Sequence, residues 1–570
     1  MEEIRIGVYI CWCGTNIAKN VDVERVTAEV QNTPGVVIAK NYKYMCSDPG
    51  QDLIVNDIGE HKLNRIVVAA CSPRIHEPTF RKALEKAGLN AYLFQMANIR
   101  EQVSWVHDDR EQATQKALAL VMGAIKRVKW QEALSKKVVK IHPATLVIGG
   151  GIAGLAAARE IARADKPVFL VERDKQLGGI MARIDQTFQT MDSASKFINP
   201  MIEELTTHPE VQIFLNSEVQ SISGYVGNFK AVINHRESQS EVEFGNIIVA
   251  TGLKPFKPTP LANYGYERLP DVITSLEFEE MLRSGHIRLK NRKEPRHVAI
   301  IHCVGSRSSD YLPYCSRTCC RTALKFANQI KDQLPAAKVY ELYTDMRAMG
   351  NGAEELYLKT AGRGVLFLMY DPSARLPFIL KNENRKESGL IIETREMLSG
   401  KMIEVPADLV VLMTGMESHE SAKKLGHAAG ISVDSNGFYI EKHPKLDPVA
   451  TTTDGVFVVG NCQAPKEIND SVSQAKAAAA RVLGMINNGT VEVEVITSHV
   501  NELICCGCQT CVKVCPYGAI EFQKEKHVSS VNEVICKGCG TCTTSCPTGA
   551  IQSRHFTEEQ ILSQIEGVMV

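Results

Sequence analysis

Nine of the 18 cysteines fall between Cys505 and Cys546, and none occurs between Cys71 and Cys303. Cys505, Cys508, Cys511 and Cys515 recur 31 positions later as Cys536, Cys539, Cys542 and Cys546. Pro516, Gly518, Ala519 and Ile520 recur as Pro547, Gly549, Ala550 and Ile551, so one small unit is present twice. Each copy reads C-x2-C-x2-C-x3-C-P. That run lets three thiolates of one tight loop reach three irons of a cubane, while the fourth begins a helical turn and swings to the other cluster. Cys505, Cys508, Cys511 and Cys546 are thus assigned to one [4Fe–4S], and Cys536, Cys539, Cys542 and Cys515 to the other. Gly507, Gly538 and Gly540 let backbone approach sulfide. A pair of zinc sites is the alternative, but zinc closes with four ligands and has no need of this doubled spacing. Cys506 is left over and reads as a buried small hydrophobe.

A second constellation binds phosphate rather than metal. Gly149-Gly150-Gly151-Ile152-Ala153-Gly154 places G-x-G-x-x-G between a strand pattern and a helix pattern. Gly149 makes the tight turn, Gly151 admits a pyrophosphate, and Gly154 lets helix and strand pack closely at the dipole-positive end. The next strand runs into Glu172-Arg173, 23 residues past Gly149, where a carboxylate can accept both hydroxyls of an adenosine ribose. Leu177-Gly178-Gly179, Ala250-Thr251-Gly252 and the stretch from Thr453 to Gly460-Asn461 then resemble the two-dinucleotide-domain flavoproteins that include thioredoxin reductase. The resemblance implies FAD. In that family the last motif usually ends in Asp bonded to the ribityl chain; Asn461 can still accept a hydrogen bond but adds no charge.

Such flavoproteins carry a second glycine triplet for NAD(P)H in an inserted middle domain. The equivalent strand here, residues 297–301, runs on as His302-Cys303-Val304-Gly305-Ser306-Arg307. Cys303, Cys315, Cys319 and Cys320 follow in place of the triplet, spaced C-x11-C-x3-C-C at the start of a helix running to about Ile330. Two readings stay open on spacing alone. Four thiolates could hold a further [4Fe–4S], with Arg317 and Arg321 available to offset its charge, or the thiols are free, with a redox-active vicinal pair at Cys319 and Cys320. Asp345, after the next strand pattern, could mimic a ribose-binding acid.

The elements that must position these groups follow from periodicity. The chain of 570 residues suggests roughly four domains at about 150 residues each. Residues 1–135 read as a small α/β unit, with strands near residues 4–10 and 65–70 and helical spacing over residues 78–86 and 109–129. Residues 143–497 alternate strands and helices like a doubly wound sheet, with FAD-binding parts at 143–285 and 440–497 around a middle domain at 286–439. Residues 498–555 form an α+β two-cluster ferredoxin domain, and 556–570 a tail helix. Lys plus Arg equals Asp plus Glu, 65 against 65, so no basic surplus points to nucleic acid or anionic lipid. Met1-Glu2-Glu3-Ile4-Arg5 carries no positive, apolar leader, and no stretch is long enough to span a membrane. Clustered thiols without an export signal fit a reducing compartment, so the expectation is a soluble cytoplasmic protein.

With these pieces in place the chain closely resembles the flavoprotein A subunit of heterodisulfide reductase. The likeness extends to Cys11-Trp12-Cys13-Gly14-Thr15-Asn16, to Tyr44-Met45-Cys46-Ser47-Asp48-Pro49-Gly50-Gln51, and to Ala70-Cys71-Ser72-Pro73-Arg74-Ile75-His76-Glu77. The resemblance implies a [4Fe–4S] cluster on the Cys303 set and another in the N-terminal domain, where Cys11, Cys13, Cys46 and Cys71 are the thiols. A structural C-x-C turn with two lone core cysteines is the alternative there. Sixteen cysteines are then used, leaving Cys462 and Cys506. Members from methanogens carry an additional ferredoxin module within the FAD domain, which the cysteine-free interval from 72 to 302 leaves no room for. The family implies flavin-based electron bifurcation or confurcation within a larger complex. Its expected partners are B- and C-type subunits, an electron-input module of hydrogenase, formate dehydrogenase or NADH-oxidising type, ferredoxin, and a second copy of the chain. His443, His302 and His76 read as structural groups, so no acid–base catalyst is assigned. The rival readings are a self-sufficient NAD(P)H oxidoreductase and a passive electron relay.

Overall fold

The computed structural model describes residues 3–188, 190–235, 238–383 and 388–569. The chain divides into two compact units, Met1–Val138 with Glu492–Val570, and Val139–Val491. The N-terminal α/β part and the cysteine-rich part, far apart in sequence, thus belong to one unit.

In that first unit, strands Val36–Tyr42, Ile6–Cys11, Arg65–Ala70 and Phe94–Asn98 form a parallel sheet in this order. Side-chain alternation divides the central strand between two layers of helices. Ile6, Val8 and Ile10 pack with Val26, Val30, Ala117 and Val121, while Tyr9 and Cys11 pack with Ile54, Ile58, Phe80 and Leu84. The Arg110–Val128 helix is capped by Asp109, whose carboxylate accepts the Gln112 N–H at 2.8 Å.

The cysteine-rich part holds two short antiparallel pairs, Ile520–Gln523 with Val528–Val531 and Ser498–Val500 with Ile551–Ser553. It ends in the Glu558–Val568 helix, opened by a capping box between Thr557 and Gln560. That helix lies against Arg110–Val128 with glycine facing glycine: a Cβ on Gly567 would stand 2.6 Å from Gly123 Cα. Buried Arg127 donates to Gln564 Oε1 and to the His555 carbonyl, both at 2.6 Å, and Gln560 Nε2 donates to the Trp130 carbonyl at 2.9 Å.

The second unit contains two parallel sheets. The first runs Val456–Val458, Asn246–Val249, Thr145–Ile148, Val168–Val171 and Val211–Phe214. The second runs Val272–Thr274, Leu409–Thr414, His297–Val304, Lys338–Tyr343 and Leu366–Met369. Its strands all precede Val456–Val458, so it is inserted within the chain path of the first, the arrangement of a two-dinucleotide-domain flavoprotein. The Ile152–Ala162 and Ile468–Asn488 helices share a core rich in alanine, including Ala153, Ala156, Ala157, Ala475, Ala478 and Ala479, whose small side chains allow close approach. Among the described residues no helix is long and apolar enough to cross a membrane.

Candidate functional site

A cavity of about 500 Å³ opens at the carboxyl ends of the first sheet's strands, a size suited to a dinucleotide cofactor. Gly149, Gly151, Ile152, Ala153, Glu172, Arg173, Gly178, Gly179, Thr251, Gly252 and Asn461 all line it. Gly154 and Gly460 do not; they act from behind. A Cβ on Gly154 would stand 1.8 Å from the Gly149 carbonyl oxygen, and one on Gly460 would stand 2.7 Å from Ala153 Cβ. Gly151 is the opposite case, since a Cβ there would meet nothing within 4 Å and would point into the open cradle. The donor set and this cradle fit FAD. Glu172 is nearly fully buried and held by backbone: its Oε2 accepts the Gly150 N–H at 2.6 Å and its Oε1 the Asp174 N–H at 2.9 Å. Arg173 reaches across to His419. Asn461 Oδ1 accepts the Lys466 N–H at 2.7 Å, so part of the acceptor expected to serve the cofactor is spent on the chain itself.

Sequence reasoning missed a buried ion pair on the cavity wall. Lys325 contacts Glu279 and also donates to the Gln186 carbonyl at 2.9 Å. The partners are 46 positions apart and belong to no local motif. Burial pushes the Glu279 carboxyl up and the Lys325 ammonium down, which brings the pair closer to exchanging a proton than an exposed pair would be.

Cys303, Cys315, Cys319 and Cys320 line one small cavity with Ser306, Arg307, Asp345 and Arg347. The His297–Val304 strand runs past Ile301 and delivers Cys303 at its end, while Cys319 and Cys320 open the Cys319–Gln333 helix. Burial raises the Cys319 thiol well above its ordinary range, and the nearby Cys303, Cys320 and Cys315 add to it. Cys303, Arg307 and Arg317 hold left-handed φ values of 58°, 57° and 63°, a strain that non-glycine residues tolerate only where the surroundings fix it. Arg317 also lines this cavity, its N–H donating to Cys315 Sγ at 3.3 Å, but the side chains of Arg317 and Arg321 already have carboxylate partners. Arg317 pairs with Asp470 at 2.8 Å, and Arg321 pairs with Glu467 at 2.8 Å while lying over the Phe188 ring. These partners are distant in sequence, which hid them. Asp345 is likewise engaged, accepting from Arg307 Nη2 at 3.0 Å and from Arg347 at 3.2 Å. His302 is wholly buried against Glu341 at 3.0 Å.

In the cysteine-rich part, Cys505, Cys508, Cys511 and Cys546 line one cavity, with Cys506 also on its wall. Cys536, Cys539 and Cys515 face Cys542, whose thiol is pushed up by burial, opposed by a Ser498 hydrogen bond and reinforced by those three neighbours. Cys515 and Cys546 follow their helical turns, Thr510–Val514 and Thr541–Thr544, rather than beginning them. Cys506 is exposed, not a core residue as expected, because a residue beside Cys505 on this open loop has no apolar layer to enter.

Cys11 ends the Ile6–Cys11 strand and Cys71 follows Arg65–Ala70, so both stand at the carboxyl edge of neighbouring parallel strands. Cys13 holds a left-handed φ of 49°, and its N–H donates to Cys11 Sγ at 3.3 Å. Cys46 is close enough to Cys11 to act on its thiol. Burial pushes the Cys71 thiol up to about 12; the Arg100 guanidinium opposes this, and Cys13 and Cys11 reinforce it. Arg100 Nη1 also donates to Cys13 Sγ at 3.4 Å. Across the sets, burial raises the thiols of Cys11, Cys71, Cys303, Cys319 and Cys542. Against their own burial, a His302 hydrogen bond lowers Cys320 and backbone N–H groups lower Cys546, while hydrogen bonds to Thr510 lower Cys508. Thiols gathered by four in this way suit a metal that displaces their protons.

Residues 143–301 match the pyridine nucleotide-disulphide oxidoreductase family, and residues 504–550 match the 4Fe–4S dicluster domain. Thioredoxin reductase of T. acidophilum covers 60% of this chain and 99% of its own at 15% identity and a TM-score of 0.42, too distant to carry an argument. The second A-type iron–sulfur subunit of CoB–CoM heterodisulfide reductase from Methanopyrus kandleri is 40% identical over 653 positions, covering 99% of both chains. The A-type subunit of the H2:CoB–CoM heterodisulfide,ferredoxin reductase of Methanothermobacter thermautotrophicus is 39% identical, covering 100% of this chain and 98% of its own. Both alignments exceed the 570 residues present here, so each relative holds residues without a counterpart in this chain. With FAD implied by the first match and 4Fe–4S centres by the second, the chain belongs to the A-subunit family of heterodisulfide reductases, oxidoreductase subunits that are iron–sulfur flavoproteins.

Proposed function

We propose that this chain is the electron-distributing subunit of a heterodisulfide-reductase-like complex, working by flavin-based bifurcation or confurcation. One FAD and four [4Fe–4S] clusters are its redox centres. The cluster ligands are the four sets Cys11, Cys13, Cys46, Cys71; Cys303, Cys315, Cys319, Cys320; Cys505, Cys508, Cys511, Cys546; and Cys515, Cys536, Cys539, Cys542. The flavin supplies exchange between two-electron and one-electron carriers. The chain's own residues do the rest. Gly151 leaves room for the pyrophosphate, Glu172 presents a fixed carboxylate to the ribose, and the thiols fix where electrons enter and leave.

The observation that carries this reading is the Cys319–Gln333 helix. Cys319 and Cys320 line the thiol cavity, while Thr322 and Lys325, one and two turns on, line the flavin cavity. One rigid element thus serves both redox sites. Relatives named for a heterodisulfide together with H2, formate and ferredoxin support an input module and ferredoxin as partners; B- and C-type subunits and a second copy of this chain complete the assembly we propose. A cytoplasmic location accords with such partners.

The test is to measure the two one-electron potentials of the flavin in the full-length, anaerobically reconstituted protein, and to identify the chains that co-purify with it. Strongly inverted potentials with heterodisulfide-reductase-type partners are expected. Ordered, closely spaced potentials would make the chain a relay instead.

A further inference from the structure

Lys466 lines the flavin cavity but plays no part in the reading above. It is 8% exposed, and its ammonium meets only side-chain amides. Nζ donates to Gln463 Oε1 at 2.7 Å and to Gln474 Oε1 at 2.8 Å. The two amides are held for this purpose: Gln474 Nε2 donates to Gln463 Oε1 at 2.7 Å, and the Gly460 N–H donates to Gln474 Oε1 at 3.0 Å. Of the acidic groups that act on Lys466, the Cys462 thiol is pushed up to about 11 by burial and donates to the Val249 and Val459 carbonyls, and the carboxylates are occupied elsewhere. Asp470 pairs with Arg317 at 2.8 Å, and Glu441 accepts from Gln463 Nε2 at 2.7 Å. Burial accordingly holds the Lys466 ammonium below the ordinary lysine range.

A buried cation solvated by amides and lacking a directly contacting carboxylate is electrostatically incomplete. One neighbouring feature, a helix N-terminus, has the same sign. Lys466 immediately precedes the Ile468–Asn488 helix, 21 residues long, whose first turn enters the cavity through Ile468 and Ser471. The free N–H groups of that turn add partial positive charge, partly offset by Glu467 at the N-cap and by Asp470, itself paired with Arg317, in the first turn. Within a cavity of low dielectric, such an arrangement favours whichever cofactor state carries more negative charge.

We propose that Lys466 is the charge-setting residue of the flavin site, stabilising the negative charge a flavin takes up on reduction and so raising its midpoint potential. This rests on the flavin reading of the cavity. The coupling is reciprocal: negative charge in the cavity supplies the counter-ion that the ammonium lacks in the protein alone. Gln463 and Gln474 serve as neutral positioning residues, orienting Nζ without quenching its charge.

The test uses the full-length holoprotein, with FAD content measured by acid release and the flavin ratio read against a reference dye at fixed potential. Lys466→Met and Gln474→Glu remove or neutralise the charge in different ways; Lys466→Arg keeps it. We expect the first two variants to hold stoichiometric FAD, with the reduced-to-oxidised ratio down at least tenfold, about 30 mV more negative for a two-electron couple. Lys466→Arg should stay within twofold of the parent. FAD-replete Lys466→Met with an unchanged ratio overturns the proposal, and if that variant loses its flavin, Gln474→Glu is judged on the same criterion. Loss of flavin from both would make the network a pocket-building device and also overturns it. A parent protein that takes up no FAD would instead sink the flavin reading itself.

Discussion

Replacing Gly151 by valine separates a ligand-facing glycine from its two fold-bearing neighbours. Gly151 has an ordinary extended backbone, φ −78° and ψ −178°, and a Cβ there would touch nothing within 4 Å. The apoprotein should therefore be nearly as stable as the parent, within about 0.5 kcal/mol, as for surface changes free of strain. The valine side chain would, however, fill the cradle where a pyrophosphate must approach the backbone. Gly149 and Gly154 behave differently. A Cβ on Gly149 would stand 2.4 Å from the Ala250 carbonyl oxygen at a φ of +110°, and one on Gly154 would stand 1.8 Å from the Gly149 carbonyl oxygen. Alanine at either site should cost roughly 1–3 kcal/mol of folding stability before any ligand is added. Ligand linkage sets the contrast. FAD at a thousand times its Kd stabilises by about 4 kcal/mol, which is roughly 8 °C at about 2 °C per kcal/mol for a unit of this size. In thermal melts with and without added FAD, the parent should show that shift and Gly151→Val none. Iron content should be equal in the two proteins, because none of the proposed cluster cysteines lines the flavin cavity. Stoichiometric FAD retained by Gly151→Val would refute the assignment of this loop.

Anaerobic reconstitution should give about 16 non-haem irons per chain, four for each of four cubanes; a value near eight would confine clusters to the cysteine-rich part. Stopped-flow mixing with NADH or NADPH should leave the flavin band unbleached without a partner, since Asp345 is already held by Arg307 and Arg347 and no glycine triplet precedes the Cys319–Gln333 helix. Rapid bleaching would mean a nicotinamide site survives. Gly567→Val should push the Glu558–Val568 helix off Arg110–Val128 at a cost of about 1–3 kcal/mol, read as faster proteolysis of residues beyond 550; an unchanged digestion pattern would count against that contact.

What was legible in the sequence was local. The glycine loop completes its geometry within a few residues, and the duplicated cysteine run sets three thiols of each group by short spacing and the fourth by its exact repeat, so spacing alone grouped them. The assignment of the arginines was not legible, because Arg321 finds Glu467 across 146 positions and no local rule anticipates that pairing. Lys325–Glu279 and the amide cage around Lys466 were missed for a related reason: a buried charge looks in sequence like any surface charge until the fold closes over it. Cys506 erred the other way, its apolar character suggesting a core where the loop provides none.

The glycine-to-glycine contact between the Arg110–Val128 and Glu558–Val568 helices has a temporal side. Trp130 and Gln560, which bond at this interface, are 430 positions apart. At 5–20 residues per second, a ribosome leaves the first helix waiting roughly 20 to 90 seconds for the second. All of Val139–Val491 is made in that interval. A nascent chain therefore carries an uncovered groove at Gly123 throughout, and Arg127 keeps its guanidinium without the Gln564 and His555 acceptors. Anything that binds that groove during synthesis would hold the first unit open until the cysteine-rich part has emerged.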